Sequence, residues 1–241
     1  MSLPRFSPSI LSDFVPPCRY YRTYTVDMLG NVVGTKHPVL YLNVPMDVLK
    51  QIAADEISRG SPVWFGSDVG KHFIRKYSQL GPELEDFEGY YGTDRNLTKS
   101  QRLQFGQSLM THAMLLTGVH VPGSGTRKVT TGPGKEKEEP GNKISVPATI
   151  DAKDITRWRI QNSWGTRLGN DGYLTASDSW MDEYTYQIVV DRARLPQKAK
   201  VALETDPVVL PPWDPMGALA VGFDTDEARP AGAGPSEDQR Q

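Results

Sequence analysis

The run HAMLLTGVHV, from His112 to Val121, is almost wholly apolar. A strand of that composition is stable only with both faces covered, so the chain must build at least two layers around it. The run is also far shorter than the roughly 20 apolar residues a membrane-spanning helix needs, and no longer uncharged apolar stretch occurs in the chain.

Other periodicities surround this strand. Val48, Leu49, Ile52, Ala53 and Ile57 recur at helical spacing between Pro45, which suits a first turn, and Gly60, which suits a stop. Pro62 to Gly66 reads as a short buried strand. Thr98 and Gln101 have the spacing of a capping box, which predicts a helix running toward Leu109. Trp158, Ile160 and Asn162 alternate with Arg157, Arg159 and Gln161, and Tyr184, Tyr186, Ile188 and Val190 repeat the alternation. Strands are expected near 62–66, 112–121, 157–162, 172–176 and 183–191. With a helix in the first half and a strand-rich second half, the fold class is α+β.

Two segments cannot contribute a core. Residues 122–143 hold five Gly, three Pro and eight charged residues, with Val129 as the one sizeable apolar side chain, so they read as a flexible insertion between strands. Val221 to Gln241 has the same character and reads as a disordered tail. Lys and Arg number 27 against 29 Asp and Glu, and a net charge of -2 gives no footprint for a nucleic-acid backbone or an anionic membrane surface. The start Met1-Ser2-Leu3-Pro4-Arg5 lacks the pattern of a secretory signal, and a single cysteine allows no internal disulfide, so a reducing intracellular setting is expected.

Four histidines raise the question of a metal. His112 and His120 share a strand face but stand about 26 Å apart at ~3.3 Å per residue, too far to chelate. His37 precedes Pro38 in a turn, and His72 sits among Lys71, Arg75 and Lys76, which reads as a solvated basic face. No metal and no cofactor are expected. His112 opens its strand at a helix-to-strand junction, and on spacing alone it can be a core histidine or a ring facing a cleft. The segment WRIQNSWG, 158–165, bears on that choice. The carboxamide of Asn162 can accept an imidazole N–H and fix its tautomer, and Trp164 can shield that bond from water. Those are parts of a Cys-His-Asn site.

NSWG after WRI, with THAM upstream, is similar to the second half of papain-like cysteine peptidases. Seven blocks in order sharpen the likeness: YTVDMLGNVVG (24–34), YLNVPMDVLK (41–50), PVWFGSDVGKHF (62–73), FGQSLMTHAMLLTGV (105–119), WRIQNSWG (158–165), GYLTASDSWMDEYTYQIVVD (172–191) and LPPWDPMGALA (210–220). Together they resemble the C-terminal half of the bleomycin hydrolase family, aminopeptidase C relatives included. The resemblance implies the β-rich half of a papain-like fold over residues 21–220, with residues 1–20 as an N-terminal extension. It implies His112 as imidazole base, Asn162 as its orienting partner and peptide or amide substrates. It further implies a homohexameric ring, a cytoplasmic or, in fungi, mitochondrial location, and a chain end near the MGALA block whose carboxylate meets the substrate's free amine.

The departures are as specific. No Gln-x-Gly-x-Cys-Trp block occurs in the 241 residues, and Cys18 follows Pro16-Pro17 upstream of the first matching block. Ser67 holds a position that is not the family's nucleophile. The resemblance therefore implies half of an active site, which needs an N-terminal half carrying the catalytic Cys. The alternative is a non-catalytic binding or assembly protein built on the same fold.

Overall fold

The computed structural model describes residues 9–12, 19–29, 39–84, 97–122, 125–128 and 150–216. Cys18, His37, the tail from Val221, and all of the insertion except residues 122 and 125–128 lie outside them. Among the described residues the dominant element is one mixed sheet. Its strands are β1 (Ser9–Ser12), β2 (Arg22–Val26), β3 (Tyr41–Val44), β4 (Val63–Ser67), β5 (Phe73–Ile74), β6 (Gln79–Leu80), β7 (His112–Val121), β8 (Gly125–Lys128), β9 (Arg157–Gln161), β10 (Tyr173–Ser177), β11 (Thr185–Val189) and β12 (Val208–Leu210). They run β12-β2-β3-β1-β11-β4-β7-β9-β10-β6-β5, and β8 pairs with β7.

The apolar run is the centre of this sheet. β7 lies antiparallel between β4 and β9, pairing Ser67 with His112 and Leu115 with Gln161. Helix α1 (Met46–Ser58) lays Leu49, Ile52, Ala53 and Ile57 against Met114, Leu116, Trp158 and Ile160 in the main core. Alternation along β9 sends Trp158 and Ile160 inward and Arg157, Arg159 and Gln161 to the other face. A smaller cluster of Tyr24, Val26, Tyr41, Leu103, Tyr186 and Met216 closes the far end.

Three expectations are corrected. The capping box forms, with Thr98 Oγ1 accepting the Gln101 N–H at 3.2 Å and Gln101 Oε1 accepting the Thr98 N–H at 2.9 Å. Its helix, α2 (Lys99–Gln104), nevertheless stops well before Leu109, because Gly106 adopts φ +67° and the chain turns back on Arg102. The strand expected from 183 begins only at Thr185. Ser177 Oγ accepts the Trp180 N–H and caps a short helix, α3 (Asp178–Tyr184), ahead of it. Part of the expected flexible insertion, Gly125–Lys128, is a strand, β8, which pairs with Gly118–Val121 and supplies partners for a stretch of backbone beyond the reach of β4. Within residues 1–20, Ser9–Ser12 form β1 between β3 and β11. The last helix is α4 (Gln197–Ala202), whose Ala199 and Ala202 join the core.

Candidate active site

The geometry of β7 and β9 brings two of the singled-out residues together. The ladder sets Gln161 beside Leu115, so the next residue, Asn162, emerges alongside the start of β7, its N–H held by the Gly172 carbonyl at 2.9 Å. His112 Nε2 lies 2.9 Å from Asn162 Oδ1. The same Oδ1 accepts the backbone N–H of Ser163 at 2.7 Å. A backbone amide only donates, so the atom facing it is the oxygen, and an oxygen there can only accept from the imidazole. Nε2 therefore carries a ring proton, and in the neutral imidazole the lone pair lies on Nδ1.

Trp164 covers this bond. Its ring stacks on His112 with centroids 4.8 Å apart and 26° between planes, and Phe73 flanks it at 6.5 Å. Trp164 is 38% exposed, so it is a lid on one side of the pair and not part of the core. An open groove of ≈ 380 Å³ runs beside His112, walled by Tyr41, Trp64, Met110, Thr111 and Ala113. Gly66 lies under the Met110 side chain, where any Cβ would collide with the thioether.

What pins the segment leading into His112 is a group the sequence reading missed. Asp68, 6% exposed, accepts the Ser108 hydroxyl at 2.8 Å and the Leu109 N–H at 3.2 Å through Oδ2. Tyr186 donates to Ser108 Oγ at 2.6 Å, and Thr111 N–H reaches the Ser67 carbonyl at 3.0 Å. Burial pushes the Tyr186 phenol up to about 12. Behind β9, Lys50 Nζ bridges Asp178 at 2.7 Å and Asp182 at 2.8 Å, and Trp158 Nε1 donates to Asp178 at 2.9 Å. Burial alone would lower the Lys50 ammonium, but its hydrogen bonds to both aspartates hold it above its ordinary value. No sequence spacing announces either network, because their members lie on separate elements.

His72 departs from the solvated basic face expected of it. It is half-buried at φ +51°, with Nε2 3.0 Å from the Tyr184 hydroxyl and its ring tilted against the tyrosine. Lys71, Arg75 and Lys76 around it are exposed. Among the described residues no group of three His, Cys, Asp or Glu gathers as a metal-ligand set, and no helix is long and apolar enough to cross a membrane.

The sequence pattern of the Peptidase C1-like family matches residues 9–141 and 143–217. The chain belongs to that family. It is 41% identical over 212 residues to bleomycin hydrolase of Homo sapiens, covering 88% of this chain and 41% of the relative. To aminopeptidase C of Streptococcus thermophilus it is 43% identical over 201 residues, covering 83% and 39%. The crystal structure of PepW from Lactobacillus rhamnosis HN001 superposes with a TM-score of 0.72 at 37% identity, covering 89% of this chain and 42% of that one. The chain thus spans about two-fifths of the length of the curated relatives it matches. Its α+β fold is that of the papain-like peptidases, in the β-rich part that the motif order implied. For a Peptidase C1-like chain, the family match begins at residue 9 and so takes in β1, which the seven blocks had left out.

Proposed function

We propose that this chain carries the imidazole side of a cysteine aminopeptidase site, with His112 as acid–base and Asn162 as its orienting partner. The supporting observation is the 2.9 Å bond from His112 to Asn162, whose oxygen is fixed as an acceptor by Ser163. The likeness to bleomycin hydrolase and aminopeptidase C supplies the reaction.

In this reading a cysteine from an N-terminal half gives its thiol proton to Nδ1 of His112, forming a thiolate–imidazolium pair. The thiolate attacks a peptide or amide carbonyl. The imidazolium then protonates the leaving amine as the C–N bond breaks, and a thioester remains on the enzyme. Water, deprotonated by the same nitrogen, attacks that thioester, and the released thiol closes the cycle. Asn162 holds the ring aimed throughout, and its oxygen stabilises the Nε2–H of the charged form. Trp164 keeps water off that bond. The groove beside His112, with Trp64, Tyr41 and Met110, offers an apolar wall to the substrate. The hexameric ring and the cytoplasmic or mitochondrial setting that the resemblance implies belong to the same proposal.

The test is to co-express the 241-residue chain with the N-terminal half of an aminopeptidase C and assay an aminoacyl anilide. Activity should appear with the pair, vanish with His112→Ala and survive Cys18→Ser. Activity in the chain alone that withstands His112→Ala would overturn the reading.

A further inference from the structure

The outward face of β9 carries a second constellation, about 20 Å along the sheet from His112 at ~3.3 Å per residue. A cavity of ≈ 510 Å³ opens there between Tyr77, Tyr173, His120, Arg157 and Arg159. The Arg159 guanidinium carbon lies over the Tyr173 ring, 3.7 Å from its centroid. That stack fixes the plane of the fork and leaves its edge to donate. The Nη1 of Arg159 is buried and has no hydrogen-bond partner among the described residues. Arg157 follows on the same face, across the ladder from His120, while Thr175 pairs with Arg159 from β10.

Among the described residues no Asp or Glu lines this cavity. Elsewhere Arg59 and Arg194 share Glu56, Arg102 has Glu183 and Arg192 has Glu204. Glu83, whose charge Arg157 feels, already accepts the hydroxyls of Ser177 and Ser179. Two guanidiniums stand two residues apart on one strand, one of them stacked and partly desolvated, and among the described residues no carboxylate pairs with this fork.

We propose that this cavity is a binding site for a small oxyanion, a carboxylate or a phosphate monoester, held by Arg159 and Arg157 between the rings of Tyr77 and Tyr173. The chemistry follows from the donors: planar N–H pairs match the paired oxygens of either group, and the tyrosine walls favour a ligand with an apolar or ring-bearing body. The site lies apart from the His112–Asn162 pair, so it stands or falls independently of the peptidase reading.

The full 241-residue chain should be titrated by calorimetry with phenyl phosphate and with benzoate, each at constant ionic strength set by chloride. At least one should bind saturably with a dissociation constant at or below the millimolar range. Which of the two binds separates the phosphate from the carboxylate source. Arg157→Gln, at an exposed position that leaves the core untouched, should weaken binding about tenfold or more. Arg159→Lys, which keeps the charge but loses the planar fork, should weaken it likewise, and if that variant fails to fold, Arg157→Gln decides alone. No heat beyond that of chloride, or binding unchanged in Arg157→Gln, would overturn the proposal.

Discussion

One oxygen, Oδ1 of Asn162, serves both the Nε2 of His112 at 2.9 Å and the N–H of Ser163 at 2.7 Å. The backbone bond holds the carboxamide still, and the still carboxamide aims the ring. Asn162→Ala frees the ring to rotate and to exchange tautomers. A hydrogen bond to a group that becomes charged contributes about 1.5–3 kcal/mol, so kcat in the reconstituted peptidase should fall roughly 10- to 100-fold with KM little changed. Steady-state kinetics on an aminoacyl anilide checks this. A loss confined to KM would mean that Asn162 binds substrate and does not orient the base.

Trp164 stacks on His112 while itself 38% exposed, so its removal should separate activity from stability. The stack adds about 0.5–1.5 kcal/mol beyond the area it covers. Trp164→Ala should lower Tm by only a few degrees but admit water to the His112–Asn162 bond, reducing kcat about tenfold. Trp164→Phe should recover most of the rate. Thermal melts and kinetics on the same preparations give both readouts.

The parts of this fold written in short-range patterns were legible in the sequence, and those made by long-range partners were not. The apolar strand, the alternation of Trp158 and Ile160 with Arg157 and Arg159, and the Thr98 capping box each depend on neighbours a few residues away. The meeting of His112 with Asn162 came from recognising NSWG and its order relative to THAM, since nothing in the composition of either strand dictates that β7 and β9 are adjacent. Asp68 escaped notice because its partners, Ser108, Leu109 and, through Ser108, Tyr186, come from other elements. The stop at Gly106 and the start of α3 at Ser177 were missed for a different reason. In each, a local backbone choice overrode a periodic pattern that could have continued.

The Lys50–Asp178–Asp182 cluster should be sensitive to loss of its cation. The Lys50 side chain is 9% exposed, and its ammonium binds two carboxylates, one of which also takes the Trp158 indole N–H. Lys50→Met removes the charge and keeps the stem, leaving two aspartates facing each other across a partly buried site. Because the Asp178 and Asp182 side chains are 22% and 42% exposed, solvent screens part of the penalty that a fully buried pair would carry, and removing the cation should cost about 1–3 kcal/mol. Urea unfolding should show a drop of that order. Replacing both aspartates together with Lys50 by apolar residues should recover much of it, and no recovery would mean that the cluster's value is the Trp158 bond alone.

Alkaline pH should weaken the fold through Tyr186. The phenol is fully buried, donates to Ser108, and is pushed up to about 12 chiefly by burial. Its folded value lies above its unfolded value of about 10. The contribution to stability is therefore complete below pH 10 and is lost as pH rises from 10 through 12, because only the unfolded chain ionises readily there. A two-unit gap corresponds to roughly 3 kcal/mol. The raised Lys50 acts in the same direction above its own ordinary range. Two measurements check this. The tyrosinate absorbance titration should show one phenol that ionises only as the protein unfolds. Urea midpoints of Tyr186→Phe should fall less steeply between pH 10 and 12 than those of the parent chain, although Tyr186→Phe is less stable at pH 7 for want of the Ser108 bond. An identical alkaline slope in the two proteins would assign the loss to Lys50 and the remaining tyrosines.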